Sequence, residues 1–565
     1  MFLKNKAHLQ TSLFGIQSQL SDAKRSRLEQ SAESSFYTLV FNSIREEDFR
    51  PLFSEVDSRP NAPVNTLVSS MLFKEHNGWT IEELFKRIDF DLLTRTALGL
   101  QDLEESPFCH ATYFNFQNRL LAYYRKTGIN LLEQVFDHLT EKQLKALKIK
   151  TSIQRMDSFQ AMTNISCYSR VGLLVEVLIR LERILTDSDR KQYKDLLTPY
   201  CGQTSEKYVY GLDKTNVPSE LEQLGSAYHT LYSGLKTAYG TTEIFAIFER
   251  VYFEHFVVAD GIIAVKVINA SVLQSPDDLD ATFRKKNDKM ARGYVVNIAE
   301  TAHPDNQLNL ITDVAVAPNT TDDSTILNER IDTMVKKTPD LEELHTDGGY
   351  GSSDNDRKLL EHEIVQAQTA IRGRQAAVEM KIDKNNNGDF VVSCPEQTTT
   401  AEKTKTRHKA CFNGTICANC EHAPQCPASP VSSGRVFYFD EENHLRSVRS
   451  RIIADLPYER QRLRPNVEAT MKEYTRGFNH KGKLRVRGKF KTMLYAFSMA
   501  IVINFGRIFR FLMEYPGLLP LPMPEKTGML DVTMSFYKLF RCVIALLVPK
   551  MSKNCILNNF GLMAF

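Results

Sequence analysis

ELHTDGGY, residues 343–350, is an apolar run that stops in a glycine-rich turn, and its aspartate, Asp347, stands where a strand ends. A second segment of this kind lies far upstream. KALKIKTSIQRM, residues 145–156, closes as a short strand that runs into Asp157, so both carboxylates are expected at strand ends. Between them GYVVNIAET (293–301) and NLITDVAVAP (309–318) show the alternation and β-branched content of strands, followed by a helical run over 324–337. A further helix is expected over about 353–367. Strands and helices in this order predict an α/β core with antiparallel and parallel strands. A third acid, Glu468 in RLRPNVEATMKEY (462–474), sits on a stretch that reads as helix, and the fold can bring it to the same sheet edge. Three such carboxylates supply the hard oxygen ligands that a pair of Mg2+ ions requires.

Length and composition bound the alternatives. A chain of 565 residues has room for roughly three to four domains. With 42% hydrophobic and 25% charged residues it is globular in composition. The net charge of +3 is nearly balanced, but Lys472, Arg476, Lys481, Lys483, Arg485, Arg487, Lys489 and Lys491 crowd one stretch. The opening MFLKNKAHLQTSLF has no uninterrupted apolar core, so secretion is not expected. Residues 493–513 are apolar but broken by Asn504, Gly506, Arg507 and Arg510, and read as a buried amphipathic helix with no membrane role. Ten cysteines, five of them from Cys394 to Cys426, fit a reducing cytoplasm with a local metal site better than a disulfide framework.

The chain divides by pattern into a helical region (1–145), a first core piece (146–171), a helical insertion (172–260), a second core piece (261–372), a cysteine-bearing insertion (373–450) and a C-terminal helical part carrying the basic tract (451–565). The break SRPNAP, from Ser58, introduces the first strongly periodic helix.

Several segments, in order, resemble bacterial insertion-sequence transposases of the DDE type, which have an RNase H-like core. SRPNAPVNTLVSSMLFKEHNGWTIEELFKRIDFDLLTRTALGL (58–100) and HATYFNFQNRL (110–120) resemble that group's N-terminal helical domain, a DNA-binding or assembly region. MDSFQAMTNI (156–165) resembles the segment of the first aspartate, DATFRKKNDKMARGYVVNIAE (280–300) the stretch before the core strands, and HTDGGY (345–350) the second-aspartate motif. VAPNTTDDSTIL (316–327) resembles the family's asparagine-to-aspartate loop, which implies Asn319 and Asp322 near the site. RPNVEATMKEY with GFNHKGKLRVRGKFK (464–474, 477–491) resembles the glutamate region. Gly348 stands where the family usually has lysine and Gln461 where it often has tyrosine, while Arg464 keeps its offset from the glutamate.

The resemblance implies a catalytic triad of Asp157, Asp347 and Glu468 holding two Mg2+ (or Mn2+) ions, with Asp157 bridging them, and double-stranded DNA, element ends and target, as partner. Two ends held together imply a dimer on DNA. A metal-dependent nuclease without strand transfer, or a silent DNA-binding derivative, uses the same parts.

Plain alternatives stand beside each role. A lone aspartate after a strand is commonly a turn cap. Glu468 has Lys472 four residues on as an ion-pair partner, and Glu473 is the nearest rival ligand. Asp322, with Asp323 beside it, fits an Asx turn as well as an outer position around the site. Pro465 either starts or kinks the helix; if it is intact, Arg464 and Glu468 share one face and Arg464 can fork a phosphate. The basic tract, with Phe478 and Phe490 interleaved, neutralises DNA phosphates or is simply a solvated face. Cys394, Cys417, Cys420 and Cys426, in a C-x22-C-x2-C-x5-C pattern, can hold one structural Zn2+, with Cys411, His408 and His422 as rival ligands.

Overall fold

In the computed structural model, which describes residues 1–9, 15–56, 59–102, 104–259, 262–286, 288–371 and 376–515, the two aspartate segments lie side by side in one mixed sheet. Its strands are β1 (Ile153–Met162), β2 (Thr282–Lys286), β3 (Lys289–Thr301), β4 (Ile311–Pro318), β5 (Glu343–Thr346) and β6 (Val365–Gln368). The order is β2-β3-β1-β5-β6, and β4 shares the outer edge of β3 with β2. β1 runs antiparallel to β3 and parallel to β5, which is parallel to β6. β3 changes partner from β2 to β4 at Gly293, whose φ of +146° only glycine adopts readily. A side chain there would also collide with the carbonyl of Ala161 on β1.

Helices cover both faces. On the N-terminal side α1 (Val64–Asn77) ends at Gly78 in the left-handed region, and α2 (Ile81–Phe90) starts with a Thr80/Glu83 capping box. They pack with α3 (His110–Thr127) and α4 (Leu131–Ala146) into a core that includes Ala161, Val296, Ile298 and Val314 of the sheet. The other face of β1, through Met156, packs on α5 (Asp323–Lys337) and α6 (Ser353–Glu361). α7 (Glu441–Asp455), α8 (Val467–Thr475) and α9 (Lys489–Glu514) also lie around the sheet.

α9 is long and apolar enough to cross a membrane by length and composition. Here it is a core helix: Phe497 lies 5.8 Å from Phe136, and Asn504 both accepts from and donates to the backbone of Ile311 at 2.8 and 2.9 Å. The amide thus completes the sheet edge, and the polar interruptions seen in the sequence are sheet and ion-pair contacts. Asp313 on β4 is buried against Arg330 and Lys337 of α5, at 2.5 and 2.9 Å, and Lys337 also meets Asp137 of α4 at 2.7 Å. That cluster ties the N-terminal helices to the sheet.

Two further segments have cores of their own. Helices between Arg170 and His255 bury Leu174, Leu178, Tyr228, Leu231 and Phe248, and lead into a hairpin of Phe256–Ala259 with Ile262–Val265. The cysteine-bearing segment forms a three-stranded and a four-stranded sheet around Ile382, Phe390, Val392, Phe412 and Phe439. Met1–Phe511 form one unit; of the second, Leu512–Phe565, only residues 512–515 are described.

Two helix expectations shift. The helix expected over 353–367 stops at Glu361, because the chain reverses at Glu363 (φ +58°) and Val365 enters β6. α7 starts at Glu441 on a capping box from Asp440 and Asn443, so a helix runs across position 450/451. Ser58, the boundaries at 260/261 and 372/373, and the helical expectation beyond 515 lie outside the described residues.

Candidate active site and cysteine cavity

The register of the parallel strands explains how Asp157 and Asp347 meet. Arg155 pairs with His345, so two residues further on Asp157 and Asp347 stand at the same level. Asp347 follows β5 directly, as expected. Asp157 does not end its strand: β1 continues to Met162, paired with β3, beyond the level at which β5 stops. Asp347 also caps the turn after β5, accepting the Gly349 N–H at 2.7 Å, so the ordinary cap role and the site position coincide.

Glu468 arrives on α8. Pro465 lies in a 3-10 turn, Arg464–Asn466, just before that helix and starts it rather than kinking it. A buried network fixes the turn and helix against the sheet. Arg155 donates to the carbonyl of Leu463 at 3.0 Å and pairs with Glu300 at 2.6 Å. Glu300, fully buried on β3, accepts from Thr470 of α8 at 2.8 Å and from Arg507 of α9 at 2.7 Å. Glu473 is bound to the same Arg507 at 2.9 Å and to Arg510 at 3.6 Å, so the rival ligand is committed to the scaffold.

The three acids converge on one guanidinium. Arg464 Nη2 bonds Asp157 and lies 3.9 Å from Asp347, while Nη1 lies 3.8 Å from Glu468. The sequence assigns Arg464 to DNA phosphate; here it sits at the point the carboxylates face, and Glu468 pairs with it rather than with Lys472. Asp157 is buried, Asp347 is about a third exposed (34%) and Glu468 is open to solvent (62%). Burial lifts the Asp157 carboxyl to about 6, with the charges of Asp347 and Asp323 adding to the rise and Arg464 and the Ser158 N–H opposing it. Among the described residues no group of three or more His, Cys, Asp or Glu is arranged to hold a metal ion.

The two loop residues expected near the site differ in burial. Asn319 is buried, its side-chain amide donating to the carbonyls of Thr282 and Ala291 at 3.3 Å, which pins β2 beside β3. Asp322 is the exposed residue before α5. Its neighbour Asp323 turns inward and accepts from Ser158 Oγ at 2.6 Å. The only signal for this in the sequence is that two acids stand together at a helix start.

The basic tract lies along the end of β1: Leu484 N–H donates to Met162 O at 2.8 Å, Asn164 N–H to Val486 O at 3.1 Å, and Lys483 to Ile165 O at 2.8 Å. Lys472, Arg476, Lys481, Arg485, Arg487 and Lys491 are exposed, and Lys489 is partly so. The two aromatics point inward instead of toward a ligand. Phe478 packs at 6.0 Å from Tyr495, and Phe490 at 5.1 Å from Tyr124.

Cys394, Cys417, Cys420 and Cys426 all line one cavity, with His422 beside them. Each thiol is free, and burial together with the nearby Cys394, Cys426 and Cys420 raises the Cys417 thiol. Gln397 donates to Cys417 Sγ at 3.3 Å. Of the rival ligands, His408 meets Phe390 edge-on at 4.5 Å and stacks on Phe439 at 5.4 Å, and Cys411 is exposed on its strand; neither lines the cavity.

The mixed sheet thus presents two aspartates at one level, and a helix from beyond the cysteine-bearing segment brings a glutamate toward the same arginine. Residues 390–509 match the family model described as a transposase DDE domain, which supports a DDE-type transposase with DNA as its partner. The match spans the cysteine cavity, Arg464, Glu468 and the basic tract; Asp157 and Asp347 precede it. No curated protein and no solved structure matches the chain.

Proposed function

We propose that this chain cuts DNA at the ends of an insertion sequence and transfers the freed 3′ hydroxyls into target DNA. The observation that carries the reading is the meeting of Asp157, Asp347 and Glu468, from three distant segments, on the single cation of Arg464. Carboxylate oxygens gathered around a positive charge fit Mg2+ or Mn2+, which favour hard oxygen donors. Bound there, such ions supply an activated nucleophile and neutralise charge on the phosphorane and the leaving oxygen. The protein's own part is placement. β1 holds Asp157, the turn after β5 holds Asp347, and the Glu300 network holds α8 so that Glu468 faces them. With its acids engaged elsewhere, Arg464 has its planar fork free for a phosphate. The strand order, with β1 between an antiparallel and a parallel neighbour, supports an RNase H-like core.

The reading includes a dimer on DNA, since two ends must be held at once, and a cytoplasmic setting in keeping with the free thiols. It also includes one structural Zn2+ held by Cys394, Cys417, Cys420 and Cys426, supported by their shared cavity. Four thiolates leave no open position, so this ion has no catalytic part.

The test is cleavage of the DNA flanking the coding region in Mg2+, followed by strand transfer from pre-cleaved ends. Both steps are expected from the parent. Cleavage without transfer makes the chain a nuclease, and binding without cleavage makes it a silent DNA-binding protein.

A further inference from the structure

Asp323 is the first residue of α5, where an acidic side chain is ordinarily explained by the positive end of the helix. That preference does not account for its direction. The carboxylate reaches across to β1, where Oδ1 accepts from Ser158 Oγ at 2.6 Å. Ser158 in turn donates its backbone N–H to Asp157 Oδ1 at 2.8 Å, leaving Asp157 Oδ2 as the oxygen that faces Arg464. The other oxygen of Asp323 lies beside Gly349, where a Cβ would stand 3.2 Å from it and 2.9 Å from Asp347 Oδ1. Asp323 therefore touches the backbone setting of both aspartates while being neither of them. Beneath it Tyr350 is fully buried, its hydroxyl accepting from Asn297 Nδ2 at 2.5 Å, which gives the turn after Asp347 a fixed floor.

We propose that Asp323 and Ser158 act as a pair of positioning residues that orient Asp157 toward a divalent cation. The pair fixes which Asp157 oxygen is held by the backbone and which is offered to the ion, as outer hydrogen bonds do for metal ligands generally. The proposal rests on the metal-site reading above and adds to it two residues outside the triad. Because Asp323 works through an accepted hydrogen bond, its oxygen matters more than its charge. Asn keeps that oxygen and Ala does not.

The experiment is Mn2+ binding to the full-length protein by calorimetry, with thermal melts in metal-free buffer to confirm folding. Asp323→Ala and Ser158→Ala are each expected to weaken Mn2+ binding about tenfold, the low end of what such outer partners contribute. The double variant should be no weaker than Ser158→Ala, because that variant has already lost the bond to Asp323. Asp323→Asn should bind like the parent. If Asp323→Ala does not fold, Ser158→Ala, which deletes one oxygen, carries the test. Parental binding by Ser158→Ala overturns the proposal, as does an Asp323→Asn variant as weak as Asp323→Ala. A parent that binds Mn2+ but cuts no DNA overturns the transposase reading and leaves this measurement standing; a parent that binds no Mn2+ overturns both.

Discussion

The acid cluster and the cysteine cavity gather side chains of metal-binding type in opposite ways. The acids come from positions 157, 347 and 468 and are brought together by strand register and a helix anchored through Glu300. The thiols come from one stretch, 394–426, and meet at a short helix and turns between short strands with a small core of their own. The first arrangement depends on the whole sheet; the second needs only its insert. Damage to either should therefore spread differently. Removing an acid stops chemistry in an intact fold, breaking the Glu300 network weakens the fold, and removing a thiol loosens one insert.

The largest expected effect is on chemistry. Asp157→Ala or Asp347→Ala should lower end cleavage by about a thousandfold or more, because several kcal/mol of charge stabilisation leave with the ion. DNA affinity, measured by gel shift, should stay near the parent value because the basic tract is untouched. Cleavage at the parental rate by either variant breaks the comparison at its first term.

Next is the scaffold. Glu300 is fully buried between Arg155 and Arg507, so Glu300→Ala strands two guanidiniums. Chemical unfolding should show a loss of about 3–5 kcal/mol. A change below about 1 kcal/mol, the usual worth of an exposed pair, means the network does not anchor α8.

A smaller and local effect is expected at the thiols. The parent should contain one zinc per chain by elemental analysis, and Cys417→Ser with Cys420→Ser should lose it. Limited proteolysis should then cut within 394–426 while the core persists. Retained zinc, or none in the parent, removes this site from the account.

The smallest effect belongs to the basic tract. Replacing the exposed Lys481, Arg485 and Arg487 with Ala should weaken binding to all duplexes alike and reduce the salt slope by about 0.9 for each phosphate no longer neutralised. Lys483 is a poorer probe than its neighbours, since its ammonium is bonded to the Ile165 carbonyl. An unchanged slope makes the tract a solvated face.

How far each region is legible in the sequence follows from the same contrast. The cysteine spacing is local and can be read directly; the cavity then separates its four members from His408 and Cys411. The strands and turns around Asp157 and Asp347 are visible as alternation ending in glycine. That Asp157 sits within a strand is not visible, because the pairing with β3 that carries β1 on to Met162 comes from a distant segment. The short β6 reads as a continuation of helix, since a four-residue strand after a helix carries little periodicity. Glu473 and Glu468 lie in one amphipathic stretch, and only the position of Arg507 on α9 tells them apart. Likewise nothing in the doublet Asp322-Asp323 says which side chain turns toward Ser158.

The central claim is that Asp157, Asp347 and Glu468 form one divalent-cation site, and calorimetric Mn2+ binding to the parent and to Asp157→Asn, Asp347→Asn, Glu468→Gln and Glu473→Gln tests it most directly. The account predicts that the parent binds, that each of the first three variants binds at least about tenfold more weakly for want of a charged oxygen ligand, and that Glu473→Gln binds like the parent while unfolding more easily. Parental affinity in Asp157→Asn, Asp347→Asn and Glu468→Gln, or a loss confined to Glu473→Gln, would contradict it.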